Sequence, residues 1–375
     1  MGIDVNGAAL VAADRKGLLG ELGSERAPSS VRTGPVEEAY LAEREGLVRA
    51  LHAALAVLPE HWVSLSVLDY SGADRFISRR GSEVRSLASV GQVLLLLDVA
   101  KHRLVAEGRS GDYPVADVEM GRSAVPPVGG SGIWQHLVGV ESMPSEALAV
   151  LVGQLSDNLA TNVLLHHSGI DAVNATAEGL GLTDTRLHDF VRDGRGPDDP
   201  AAFATGTTDE LLGLMVKMSI SSGVTGRALK WIETDGIRPA MGQRFDEGPE
   251  RPPFGGAAFC HEYSKTGTDA GVRAVMGLVD GPVDALAYAL VVNWPGAEES
   301  AETRSMVSAA VNEVVMILQR WVFVDRDLSA CSSVEPQPFD VVGDTEYEEL
   351  ALDRTPPGRM DLFRAFLRRR WLRWS

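Results

Sequence analysis

The order in which hydrophobic periodicity changes along the 375 residues constrains the fold most. A helical repeat comes first: Pro35, Glu37 and Glu38 open it, and Leu41, Leu47, Leu51 and Leu55 recur at near-helical spacing. Strand-like runs follow at 61–68 and 75–78, joined through Ser71, Gly72, Ala73 and Asp74 in a hairpin pattern. From about 89 to 231 the pattern is mainly helical, with Gly and Pro punctuation at 110–114 and 125–132. Strand patterns return at 272–279 and 285–292 around a Gly281-Pro282 turn, and an amphipathic helix runs from about 300 to 322. This order predicts an α/β (α+β) fold: an antiparallel sheet flanked by terminal helices, with an inserted all-helical subdomain. The sheet part is expected over 36–88 and 240–323, and the helical part over 89–239. Residues 1–35 read as a flexible leader and 324–375 as a tail, acidic and then basic and aromatic.

Composition narrows the function. A formal charge of −17 argues against a surface that coats nucleic acid, which needs clustered Lys and Arg. Cys260 and Cys331 can form at most one disulfide and stand in no Cys/His cluster, so no metal site is signalled, and no cofactor is implied. The first residues, interrupted by Asp4, Asp14 and Arg15, lack the basic start, unbroken apolar core and cleavage site of a secretory signal. The apolar run 93–97 is far short of the ~20 residues that span a bilayer. A cytoplasmic protein is expected. Lysine occurs only at Lys16, Lys101, Lys217, Lys230 and Lys265, so each position is informative.

Three short sequences carry the chemistry: Ser89-Val90-Gly91-Gln92 at the start of an apolar helix, Ser156-Asp157-Asn158, and Lys265-Thr266-Gly267 opening a strand. A serine at a helix N-terminus sits where the dipole and free N–H groups favour developing negative charge, which suits an acyl-accepting hydroxyl. The plainer reading is an N-cap, a role that Ser favours. Ser156 or Asp157 can likewise cap the helix that continues through Leu159, Asn162 and Val163, and capping is compatible with a functional role. Lys265 is either a cation facing the site or an exposed strand lysine.

In this order and context, the three motifs resemble those of the class A serine β-lactamases and the wider penicillin-recognising serine enzymes, over roughly residues 36 to 323. The resemblance implies a β-lactamase/transpeptidase-like architecture with catalytic-type positions at Ser89 (nucleophile), Ser156 (proton donor to the leaving nitrogen) and Lys265 (cation facing Ser89 from the edge strand). It places Gln92, Asn158, Thr266, Gly267 and Thr268 against ligand, with the backbone N–H of Thr268 as a second oxyanion donor.

The chain departs from that pattern twice. The family's lysine, three residues after the nucleophile, is Gln92 here, and a primary amide has no basic lone pair at neutral pH. The family's loop glutamate, four residues past the leucine of Thr185-Arg186-Leu187, falls on Val191, and Asp189 and Asp193 beside it read as surface-loop acids. Both usual bases are missing. The resemblance then points to a non-hydrolytic regulatory relative, similar to actinomycete β-lactamase-like proteins needed for inducible β-lactamase production. Such a protein would recognise a β-lactam or peptidoglycan-like ligand and act through a protein partner such as a transcriptional regulator, with no direct contact to nucleic acid. The alternative is a serine acyltransferase or hydrolase of secondary metabolism that uses Ser89.

The C-terminal stretch 354–375 carries seven arginines against Asp361, a side-chain charge of +6. Phe363, Phe366, Leu367 and Trp374 share one side of a helical projection. This reads either as a peripheral contact to the inner membrane face or a partner groove, or as a solvated tail.

Overall fold

The computed structural model describes residues 35–70, 75–110, 118–221, 223–233, 261–280 and 285–323. The expected leader, the tail 324–375 and the turns at 71–74 and 281–284 lie outside the described residues. Backbone contacts divide the chain into two units, Met1–Glu45 and Gly46–Ser375. Of the first, only the opening turns of helix α1 (Pro35–Leu55) are described.

In the second unit, strands β1 (Val63–Asp69) and β2 (Arg75–Arg79) form the expected hairpin pair. Helices α2 (Gln92–Ser110), α3 (Ser145–Leu155), α4 (Asn158–Ser168), α5 (Ile170–Gly179), α6 (Thr208–Ile220) and α7 (Val224–Trp231) make the inserted helical part. Strands β3 (His261–Asp269), β4 (Val272–Asp280) and β5 (Ala285–Asn293) then complete the sheet, and helix α8 (Ala301–Phe323) closes the described fold. The five strands run antiparallel in the order β2-β1-β5-β4-β3, so the last three strands join the first two through the β1–β5 ladder, Val63 opposite Val292. Among the described residues no helix is long and apolar enough to cross a membrane.

Both faces of the sheet are buried, which explains the near-continuous apolar runs in β4 and β5. Successive strand side chains point to opposite faces. Leu286, Tyr288, Leu290 and Val292 therefore pack with Leu51, Leu55, Val311 and Val314 of α1 and α8. Ala285, Ala287, Ala289 and Val291 join the other core, with α2 and α6. The small alanines let α6 lie close to β5. After Gln92, helix α2 continues Val93-Leu94-Leu95-Leu96-Leu97, all fully buried, because neighbouring helices surround it. It is the axis on which the helical part is assembled.

Two details differ from the sequence pattern. The helical stretch contains short strands: Arg85–Ser86, Arg186–Leu187 and Ala204–Gly206 make a small second sheet, and Glu119–Gly121 pairs with Ser142–Pro144. Two- and three-residue strands carry no readable alternation. Lys265, expected to open a strand, stands at the centre of β3, because Gly271 at φ +68° ends that strand and turns the chain into β4.

Candidate active site

Ser89 sits on a short 3₁₀ turn, Ala88–Gly91, immediately before α2 rather than on the helix itself. Because α2 starts at Gln92, its N-cap position falls on Gly91, and the N-cap reading of Ser89 is replaced. Leu87 N–H donates to Ala204 O (3.0 Å), anchoring the turn on the small sheet. Ala88, just before the serine, is held at φ +44°, and Ser156 at φ +50°. Such left-handed conformations in non-glycine residues cost energy and gather at functional sites. Here one flanks the first candidate serine and the other is the second.

Gly267 links β3 to this turn. A Cβ at that position would collide with the Leu87 carbonyl and come within 3.0 Å of the Ser89 nitrogen, so only glycine lets the strand approach. Side chains at i and i+2 of a strand share a face. Lys265 therefore leaves β3 on the same face as Gly267, the face that carries the Ser89 turn. It is fully buried and donates hydrogen bonds to the Ser156 hydroxyl and to Thr266 O (3.2 Å for the latter). An exposed strand lysine is thereby excluded. Ser264 N–H points away from β4, to Ile232 O (3.0 Å), so by strand alternation the N–H of Thr266 and Thr268 point the same way, away from β4.

Ser156 ends α3, and Asp157 starts α4 as its N-cap, accepting from Ala160 N (3.0 Å). The other Asp157 oxygen accepts from Ile133 N (2.7 Å) and Trp134 N (2.9 Å). Gly132, at φ +115°, allows that loop to touch the carboxylate. Asn158 points its amide at Gly129 O (2.7 Å) and is half-buried.

Gln92 is fully buried, and its Nε2 donates to Thr161 Oγ1 (2.9 Å). Because that hydroxyl in turn donates to Asp157 O (2.7 Å), it can only accept from Gln92, which fixes the amide orientation. Gln92 Oε1 is left buried with no hydrogen-bond partner among the described residues. The Gln92–Thr161–Asp157 chain ties the start of α2 to the Ser156 junction. Sequence pattern names Gln92, but Thr161 carries no signal of its own.

The loop after Leu187 presents Val191 to Asn162 of α4 through paired bonds, Asn162 Nδ2 to Val191 O (2.9 Å) and Val191 N to Asn162 Oδ1 (2.8 Å). Asp189 is buried rather than a surface acid, and it is clamped by Arg192 Nε at 2.6 Å and Nη2 at 3.0 Å. Burial follows from this bidentate pairing, which spacing alone does not reveal. Asp193 is exposed and accepts from Gly129 N (2.7 Å). Both carboxylates therefore have structural bonds. Arg195 reaches Asp269, at the end of β3, at 3.9 Å, joining this loop to the strand of Lys265.

Fold and motif placement together define an architecture of the β-lactamase/transpeptidase type. Residues 47–315 match the β-lactamase enzyme family, and the chain belongs to that family. Among solved structures it is similar to a β-lactamase from Sphaerobacter thermophilus (22% identity over 75% of this chain and 99% of that one, TM-score 0.56). It is also similar to a class A β-lactamase from Mycobacterium abscessus (15% identity, 72% and 98% covered, TM-score 0.53). A mutant of PBP-A solved as an acyl-enzyme complex with penicillin G is a third (18% identity, 74% and 97% covered, TM-score 0.52). At these identities the likeness is one of fold. No curated protein sequence matches the chain.

Proposed function

We propose that this protein recognises a β-lactam or acyl-D-alanine-like ligand at Ser89 without efficient turnover, and that it serves as a regulator of β-lactamase expression. The observation that carries the reading is Gln92: a buried amide, bonded to Thr161, stands one turn from Ser89 where a working β-lactamase needs an amine. An amide cannot take the serine proton. Val191 in the neighbouring loop offers no carboxylate to activate a hydrolytic water, and Asp189 is held by Arg192. General-base catalysis contributes about 10²–10⁴-fold per step, so loss at both steps leaves slow acylation and negligible hydrolysis. The penicillin acyl-enzyme of the PBP-A mutant supports a ligand of this class. On this reading Ser89, Ser156 and Lys265 line the recognition cleft, with Asn158, Thr266, Gly267 and Thr268 as contacts. The protein is cytoplasmic, and its output passes through a protein partner such as a transcriptional regulator, with residues 354–375 available for peripheral membrane contact.

The hydrogen bond from Lys265 to Ser156 favours a second reading, a serine acyltransferase or hydrolase of secondary metabolism in which this pair relays the Ser89 proton. Intact-mass spectrometry after incubation with benzylpenicillin separates the two. The regulatory reading expects binding with slow or no adduct on wild type, none on Ser89→Ala, and faster persistent labelling of Gln92→Lys. Rapid release of hydrolysed penicillin by the wild type would overturn it. Multiple turnover of a non-β-lactam ester, lost in Ser89→Ala, would favour the second.

A further inference from the structure

A cleft of about 420 Å³ lies outside the Ser89–Ser156–Lys265 cluster, none of which lines it. Its apolar lining includes Val125, Pro126, Pro127, Val128, Phe190 and Val191, and polar side chains complete it. The volume falls in the range of small-molecule sites, roughly 300–1,000 Å³. We propose that this cleft, lined by residues other than Ser89, Ser156 and Lys265, is a binding site for a neutral, apolar small molecule.

The cleft is built rather than incidental, because hydrogen bonds fix its walls. The loop of Val128 and Gly129 is joined to the opposite loop by Gly129 N donating to Asp193 Oδ1 (2.7 Å). The loop of Phe190 and Val191 is joined to α4 by the two Asn162–Val191 bonds at 2.9 and 2.8 Å. A pre-organised site loses little ordering entropy on binding.

The same bonds define the ligand. Every ionisable group among the lining residues, His166 apart, is already hydrogen-bonded or paired within the protein. Arg192 is paired with Asp189 (2.6 Å) and with Asp199 (3.2 Å), and Asp193 is spent on Gly129. The amide of Asn162 is used on both its donor and acceptor sides. What faces the cavity is mainly apolar side chain, beside the balanced Arg192–Asp189–Asp199 group and the Asp193 carboxylate, which keeps its negative charge and disfavours an anionic ligand. The exposed imidazole of His166 at the mouth, edge-on to His167 at 5.8 Å, can make one hydrogen bond to a polar end of the occupant.

Titration of the full-length protein with Nile red, a neutral planar dye, tests the site by fluorescence. Wild type is expected to show saturable one-site binding. Val191→Arg and Pro127→Asp, each placing a charge on the lining, are expected to weaken it at least tenfold, while Val128→Ala retains binding. Val138→Arg, at a position 98% exposed and outside the cleft, is expected to bind as wild type. Non-saturable binding, undiminished affinity in both charged variants while their thermal unfolding stays normal, or tighter binding of an anionic naphthalenesulfonate dye than of Nile red would each overturn the proposal.

Discussion

Asp157 shows how much a single residue does at the junction behind the candidate serines. One buried carboxylate satisfies the N–H groups of Ile133, Trp134 and Ala160, so it caps α4 and holds the glycine loop in place at once. Its motif position is visible in sequence, but the two long-range bonds are not. Asp157→Ala strands these donors, and each unmet buried donor costs about 1–3 kcal/mol. Urea denaturation is expected to show a loss of about 3 kcal/mol or more; a loss below about 1 kcal/mol would mean that other groups hold the loop. Gly267 acts through absence instead, since the missing Cβ lets β3 reach the Ser89 turn.

Between elements, the decisive contact is Glu210 in the first turn of α6, whose carboxylate accepts from Thr183 N (2.8 Å), Asp184 N (3.1 Å) and Thr185 N (2.8 Å). Burial opposes its charge, but the bonds from the 183–185 segment outweigh burial and hold the carboxyl below its ordinary value of 4.5. Because the folded form is the stronger acid, the stabilisation is complete above pH 4.5 and is lost as pH falls through the depressed folded value. Thermal unfolding of Glu210→Gln should therefore show a deficit at pH 7 that narrows on acidification below 4.5. A deficit independent of pH would assign the effect to packing. The segment fixed by Glu210 leads into the loop that carries Asp189 and Val191, so its anchoring bears on the candidate site.

At the scale of the whole molecule, one sheet separates two cores. Leu290 belongs to the core with α1 and α8, and Leu95 to the core with the inserted helices. Leu→Ala at a fully buried site costs about 2–5 kcal/mol. Calorimetry is expected to give losses of this size for both Leu95→Ala and Leu290→Ala within one shared transition, because β4 and β5 contribute side chains to both cores. Two resolved transitions, each moved by only one substitution, would show the cores to be independent.

Local residue order alone was enough for much of this architecture. The switch between strand and helix periods follows from side-chain geometry, and so the helix–strand–helical–strand–helix order, the antiparallel sheet and the positions of Ser89, Gln92, Ser156 and Lys265 could be read directly. Other features depend on groups far apart in the chain. The burial of Lys265 against Ser156 and of Asp189 against Arg192, the locking of Gln92 by Thr161, and the central place of Lys265 in β3 all appear only after folding. The reason is physical: a periodic pattern records which face of an element meets the core, whereas burial of charge and the orientation of a buried amide are fixed by whichever partner the tertiary packing brings within hydrogen-bond reach.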